Sequence, residues 1–529
     1  MIVRLGSSRG AKVLSPSEGI EHFAKDTRGR QTQWAERLSD SLDAFADIER
    51  EIDEHYRQGA GQLMAALLGK VTAQPAVAEK VEPIRQASVV ALRAPQPRSL
   101  QLRLLCGLVL FVSTAYCAPR RNKRDQAQPP PQQAGLYPEL AALGFFKGCS
   151  PALQSTVARI VALSPSIAAA QKELVRQGLR LDKKAVRRIA EQLGTQMLAL
   201  RQRELLAWRA GELPAGEDFR GRRVVVQFDG GRIRMRENKP RSKPRRKGQR
   251  EKFNTPWREP KALTIFEIDA QGKMTKKHRQ PLIDGTLLGP DHVVELAAYH
   301  LHRLGVAEAE LVVFVSDGAH WIWDRLEWIE RRAGLNPSRT VHVLDFCHAA
   351  HHVSLALQTL GWDEAQRRET YGRLRTLLKN SRWEEVTRQL IQWAHSQPGN
   401  KDIWTEIRYL NSHGQEGHLS YVTFRRRGIP CGSGAIESAI RRVINQRLKS
   451  NAMYWRQENA EAVFAVRATL LCDRWEETLA RVRCSMARDR RLTWQWDAPN
   501  TVAELNANAV VEPPPPQQAT GQQPTTIAA

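Results

Sequence analysis

The 529-residue chain is poor in cysteine and spends what it has without pattern: Cys106, Cys117, Cys149, Cys347, Cys431, Cys472 and Cys484 are scattered, odd in number and never two residues apart. Such a set argues against a disulfide framework and a zinc ribbon, and it fits a reducing cytoplasm. Long apolar runs are missing too. The one candidate, LLCGLVLFVSTAYCA at 104–118, has 15 residues, short of the ~20 that cross a bilayer, and its Leu, Val and Phe content with Gly107 inside suits buried strands. No membrane association is expected, and the first 25 residues hold no apolar core of a signal peptide. Acids are also in deficit. The 56 Asp and Glu stand against 80 Lys and Arg, a net charge of +24, which favours a polyanionic partner, nucleic acid first, over a neutral metabolite.

The basic excess is clustered. Between Arg232 and Lys261, thirteen of 30 residues are Lys or Arg and three are acidic; Arg245, Arg246 and Lys247 sit at the centre of this loop and are expected to contact phosphate. Low-complexity segments divide the chain. RRNKRDQAQPPPQQ marks a linker that closes an N-terminal region, 1–135, of charged helices and short strands. Residues 136–215 read as a helical, helix-turn-helix-like unit: Ser164-Pro165 starts one helix, Gly178 ends it, and Asp182 caps the next, DKKAVRRIAEQLG. Lys183, Lys184, Arg187 and Arg188 share a face of that helix, as in a recognition helix lying in a major groove or in a solvated helix of a bundle. Residues 481–529 form a low-complexity tail, read as disordered.

Three acids stand out in the remaining unit, 216–480. Asp229 ends the run VVVQFDGG, Asp317 ends VVFVSDG, and Glu437 lies in GSGAIES at the start of a predicted helix. An apolar run followed at once by Asp-Gly is how a buried strand ends at a sheet edge with its carboxylate in the crevice. The acids are 88 and 120 residues apart, so only a fold can join them. The element pattern predicts one: RRVVVQFDGG with GRIRMRE as its hairpin partner, ALTIFEIDAQG as a third antiparallel strand, then a helix, two strands flanking a helix, and a helical insertion over about 348–430. That order matches a ribonuclease H-like, mixed five-stranded α/β core.

Three carboxylates brought together suit two hard divalent ions, Mg²⁺ with Mn²⁺ as a substitute, for phosphodiester chemistry. Each acid also has an ordinary explanation, as a turn or as a helix-dipole partner. Asp345, ending VHVLD, is a rival ligand or the cap of the next helix. His348 and His352 share a helix face, but with no compatible carboxylate or thiolate beyond Cys347 a zinc site is not expected there. His348 is the secondary candidate, as an orienting group. Arg441, Arg442, Arg447 and Lys449 follow Glu437 with phosphate-neutralising charge.

The segments VQFDGGRIRMRE, WREPKALTIFEIDAQGK, VVFVSDGAHWIWDRL, VLDFCHAAHH, GSGAIESAIRRVINQRLK and MYWRQENAEAVFAVRATLL resemble, in order, the DDE insertion-sequence transposases of the ISKra type, which are distantly Mutator-like. The resemblance implies catalytic and metal-binding roles for Asp229, Asp317 and Glu437, and a structural or DNA-positioning role for Asp345 and His348. It also implies a bacterial, nucleoid-associated enzyme that cuts and joins double-stranded DNA at its element's inverted-repeat ends as a homo-oligomer, at least a dimer. The alternative is a non-catalytic, sequence-specific DNA-binding regulator on the same core.

Overall fold

The computed structural model describes residues 2–5, 16–72, 74–86, 92–118, 135–239, 252–397, 399–450 and 453–488. A mixed α/β unit is built on five principal strands: β1 (Arg223–Gly230), β2 (Lys261–Ile268), β3 (Leu282–Thr286), β4 (Leu311–Ser316) and β5 (Thr340–Leu344). Their order is β3-β2-β1-β4-β5, with the short strand Met274–Thr275 also on the outer edge of β2. β1, β2 and β3 are antiparallel neighbours, whereas β4 runs parallel to β1 and β5 parallel to β4. Every residue of β2 and β4 is buried, as continuous apolar runs require when helices cover both faces of a sheet.

Five helices frame this sheet and the residues at its edge: α1 (Lys183–Arg209), α2 (Pro290–Arg303), α3 (Phe346–Gln358), α4 (Gly434–Ile440) and α5 (Gln457–Leu471). Alternation along the strands sorts the two faces. Val224, Val226 and Phe228 of β1, with Val312 and Phe314 of β4, pack under α2 and the helix Leu326–Ala333. Val225, Val313, Val315 and Val343 face the other way, toward α3 and the helical insertion. That insertion continues α3 with helices Glu364–Lys379, Trp383–His395, Lys401–Gln415 and Tyr421–Arg426.

The hairpin expected at Gly230-Gly231 does not form. GRIRMRE leaves the sheet, and Ile233–Arg234 and Glu237–Asn238 pair with Trp257–Arg258 and Phe253–Asn254 as a separate ribbon. The period-2 pattern is real, but it serves a different surface: Ile233 and Met235 are buried against α4 and α5 while Arg232 and Arg234 point to solvent. The antiparallel neighbour of β1 is β2. The third strand is β3, all five of whose residues are buried, the central Asp284-Gly285 included.

The helical segment is also longer than its caps suggest. Ser166, not Ser164, caps the second helix, its Oγ accepting from Ala169 N, while Ser164 closes the helix before. Asp182 caps α1 by accepting from the N–H groups of Lys184 and Ala185. α1 then continues through Gly194 for 27 residues. A Cβ at Gly194 would stand 2.4 Å from Ala462 O, so this glycine permits a close crossing with α5 and does not end the helix. Through that crossing the helical segment shares a core with Val466, Trp475 and Leu479. The final helix, Trp475–Arg488, runs across residue 480, and 489–529, read as a tail, lie outside the described residues.

Farther toward the N-terminus, helices Pro16–Asp40 and Phe45–Val71 pack together beside a three-stranded sheet. Its middle strand, Val109–Tyr116, is the apolar run, held between Ile2–Leu5 and Gln96–Arg103. Among the described residues no helix is long and apolar enough to cross a membrane.

Candidate functional site

Strand geometry brings the first two acids to one face. Gln227 and Asp229 alternate with Phe228 and so share the side of Val225; Asp317, one residue past β4, continues the series Val313, Val315 on that same side. α4 is fastened over this face by two clamps. Gln227 Nε2 donates to Gly432 O and Gln227 Oε1 accepts from Ile436 N, both at 3.0 Å, which sets Glu437 beside Asp229. Asp345 is the second clamp. Its N–H donates to Ser316 O at 2.8 Å, and its Oδ2 accepts from Ser433 N at 2.6 Å.

The remaining oxygen of Asp345 accepts from His348 N at 2.8 Å and meets His348 Nδ1 at 3.0 Å. Asp345 is 1% exposed and committed through both oxygens. Of the two roles open to it, capping and positioning is the one this geometry uses. It joins the ends of β4 and β5, the start of α3 and the loop that leads to Glu437. Gln227 lies inside the run VVVQFDGG but is not among the sequence-predicted site residues; a lone amide in that apolar run is a sign of a buried polar contact, whereas its partner 209 residues away is not legible there.

The three acids are sparsely partnered by comparison. Asp229 accepts from Gly230 N at 2.6 Å, Asp317 from Ala319 N at 3.3 Å, and Glu437 meets Ser433 Oγ at 3.1 Å. Burial pushes the Asp229 carboxyl up to about 6, with the Asp317 and Glu437 charges acting in the same direction against the Gly230 N–H and His348. Burial raises Asp317 as well, opposed by the Ala319 N–H, His348 and Lys261. The hydrogen bond to Asp345 raises His348, against burial and aided by the charges of Asp345, Asp317 and Glu437. Asp229, Asp317, Glu437 and His348 therefore lie within electrostatic reach of one another. Asp229, Asp317 and Glu437 do not bring one oxygen each within 4.8 Å of one another.

The expected basic contacts divide by exposure. Lys183, Lys184, Arg187 and Arg188 are exposed on the first turns of α1, and Arg441 and Lys449 are exposed after α4. Arg442 is half-buried, its carbonyl accepting from Arg467 Nε at 2.5 Å. Arg447 departs from expectation: it is 2% exposed and its Nε donates to Val161 O at 3.0 Å, so it braces the core and does not present charge to solvent. Arg245, Arg246 and Lys247 lie outside the described residues. At the base of their ribbon, Arg232 and Arg234 stand over Trp257 at 5.3 and 4.9 Å, and Arg236 over Phe253 at 4.4 Å.

Trp455 anchors that ribbon. Its N–H donates to Arg234 O, its carbonyl accepts from Arg236 N, and its Nε1 donates to Leu448 O. The ribbon and the segment after Glu437 are thus tied into one piece. The paired histidines of α3 part company: His348 joins Asp345, whereas His352 pairs with Glu406 and stacks on Tyr409. No protein-family model, curated protein or solved structure matches the chain.

Proposed function

We propose that the protein is a DNA transposase of the DDE class, similar to the ISKra type, that cleaves and joins strands at the inverted-repeat ends of its own element. The observation that carries this reading is the convergence of Asp229, Asp317 and Glu437, far apart in the chain, on one face of one sheet, with Gln227 and Asp345 holding the third acid against the first two. Support also comes from the strand order β3-β2-β1-β4-β5 with its antiparallel trio and two parallel strands, the order of a ribonuclease H-like core. The net charge of +24 and the exposed basic faces of α1 and of the ribbon suit a DNA partner.

The donor set fits hard divalent cations. All three groups are carboxylates, and none forms an ion pair with another described residue; Mg²⁺, with Mn²⁺ as a substitute, prefers such oxygens. Asp229, Asp317 and Glu437 would hold two such ions, which when bound supply an activated oxygen nucleophile and relieve charge at the leaving oxygen. The chain's own part is placement. Gln227 and Asp345 fix α4, and His348, oriented by Asp345, offers a donor beside the acids for a phosphate oxygen. Because one active site must act at each of two ends, at least a dimer assembles on DNA, in the cytoplasm at the nucleoid.

The test is incubation of the protein with Mg²⁺ and DNA carrying the sequences that flank its gene, in which short inverted repeats are expected. Cleaved ends together with joined products are expected. Binding without cleavage would leave the DNA-binding regulator, and cleavage without joined products a structure-specific nuclease.

A further inference from the structure

The helical insertion carries a second cluster, built from a different donor set. The helix Lys401–Gln415 runs out into His413-Gly414-Gln415-Glu416-Gly417-His418, and a left-handed turn at Gly417 (φ +81°) folds His418 back until its N–H donates to His413 O at 3.0 Å. The two imidazole Nδ1 atoms then stand 3.1 Å apart, and Glu416 Oε2 stands 3.4 Å from His418 Nδ1. One ligand atom from each residue lies within 4.8 Å of the other two. Zinc bonds of about 2.0–2.2 Å to nitrogen and oxygen place the corners of a tetrahedron about 3.3–3.5 Å apart. Two of the separations, 3.1 and 3.4 Å, are close to that spacing, and the third lies within 4.8 Å.

Packing alone does not explain these residues. His413 and His418 are buried, 9% and 6% exposed, where two apolar side chains would fill the space without any polar group to satisfy. Glu416 is the C-cap of its helix, the end at which the backbone dipole favours a cation over a carboxylate. A bound cation accounts for both.

We propose that His413, Glu416 and His418 bind a divalent transition-metal ion, zinc by its preference for two imidazoles and a carboxylate, with a fourth position open to solvent. Its role is to fasten the insertion to the candidate active site. The rings of His413 and His418 pack on Trp323 at centroid distances of 4.7 and 4.3 Å, and Trp323 Nε1 donates to Asp317 O at 2.6 Å. His418 O also accepts from Leu344 N at the end of β5. An ion that holds the turn therefore holds the surface behind Asp317. The site stands whether or not the chain acts on DNA, because its ligands are separate from the three acids.

Full-length protein stripped with a chelator is titrated with Co²⁺ as an optical probe and then with Zn²⁺. The expected result is one equivalent of Co²⁺ with the intense visible bands of a four-coordinate ion, displaced by Zn²⁺. Glu416→Gln, at an exposed position that leaves the fold intact by circular dichroism, is expected to weaken binding at least about tenfold; His418→Gln removes the bands, and Asp229→Asn leaves them unchanged. Absence of the bands in the wild type, or bands that survive both Glu416→Gln and His418→Gln, would overturn the proposal and leave a hydrogen-bonded pair of neutral imidazoles.

Discussion

β1 and β3 belong to the same sheet, and each carries an Asp-Gly pair in which the aspartate accepts from the next glycine's N–H, at 2.6 Å for Asp229 and 2.8 Å for Asp284. Their surroundings are opposite. Burial acts on both and would raise both. At Asp284 it is outweighed by Arg201, whose Nη1 donates to Oδ1 at 2.7 Å, and by His300 Nε2 at 2.8 Å, so the carboxyl is held at about 2. At Asp229 burial is joined by the charges of Asp317 and Glu437, opposed only by the Gly230 N–H and His348, and the carboxyl stands at about 6. The difference lies in the counter-charge each aspartate finds. Asp284, with Arg201 and the buried Glu461 of α5, is a closed ionic network that ties α1, β3 and α5 together. Asp229 belongs to a set of acids left short of cations.

That contrast can be broken at either end. The largest effect is expected at the acid-rich corner: Asp317→Asn or Glu437→Gln should lower Mg²⁺-dependent strand cleavage on the order of 10³-fold or more, with the denaturant midpoint little changed. A loss of stability without loss of cleavage would move these residues into Asp284's class. At the other end, Arg201→Ala leaves Asp284 and Glu461 buried without their cation, and chemical denaturation should show a loss of about 3–5 kcal/mol. Asp345→Ala tests the clamp between them. With Ser433 at the start of α4 no longer held by the residue 345 side chain, cleavage should fall about 10²-fold through misplacement of Glu437, while DNA affinity, measured by anisotropy, stays near wild type.

The smallest effect is on pH dependence. Burial lowers His300 from 6.5 to about 4, against the opposing pull of Asp284. Between those values the unfolded chain binds a proton that the folded chain refuses. The His300 contribution to stability is therefore intact above pH 6.5 and lost as pH falls toward 4; Asp284, depressed from 3.8 to about 2, adds a loss of the same sign at lower pH. Thermal midpoints should drop on acidification from pH 7 to pH 4, and His300→Gln should flatten that slope. An unaltered slope would show that the network is not the source.

Features with local causes are legible along the chain. β1 and β4 are apolar runs because both faces of the sheet are covered, and each ends where Asp-Gly permits an exit. Asp182 caps α1 through contacts two and three residues away. Features that depend on distant partners are not. Arg201 lies 83 residues from Asp284, so nothing near the second Asp-Gly distinguishes it from the first. Gln227 clamps an N–H 209 residues away. Arg447 follows a run of basic residues and looks like its neighbours, but its fate is decided by Val161 O, 286 residues distant. The ribbon shows the same limit: its alternation is visible in the sequence, whereas the surface it pairs with is not.

The most direct measurement compares Asp229→Asn with Asp284→Asn in two assays, Mg²⁺-dependent cleavage of end-bearing DNA and unfolding in denaturant. A double dissociation is expected. Asp229→Asn should abolish cleavage while keeping the unfolding free energy within ~0.5 kcal/mol of wild type, and Asp284→Asn should lose about 3 kcal/mol of stability while its folded fraction still cleaves. Cleavage by Asp229→Asn at the wild-type rate would contradict the assignment of the site.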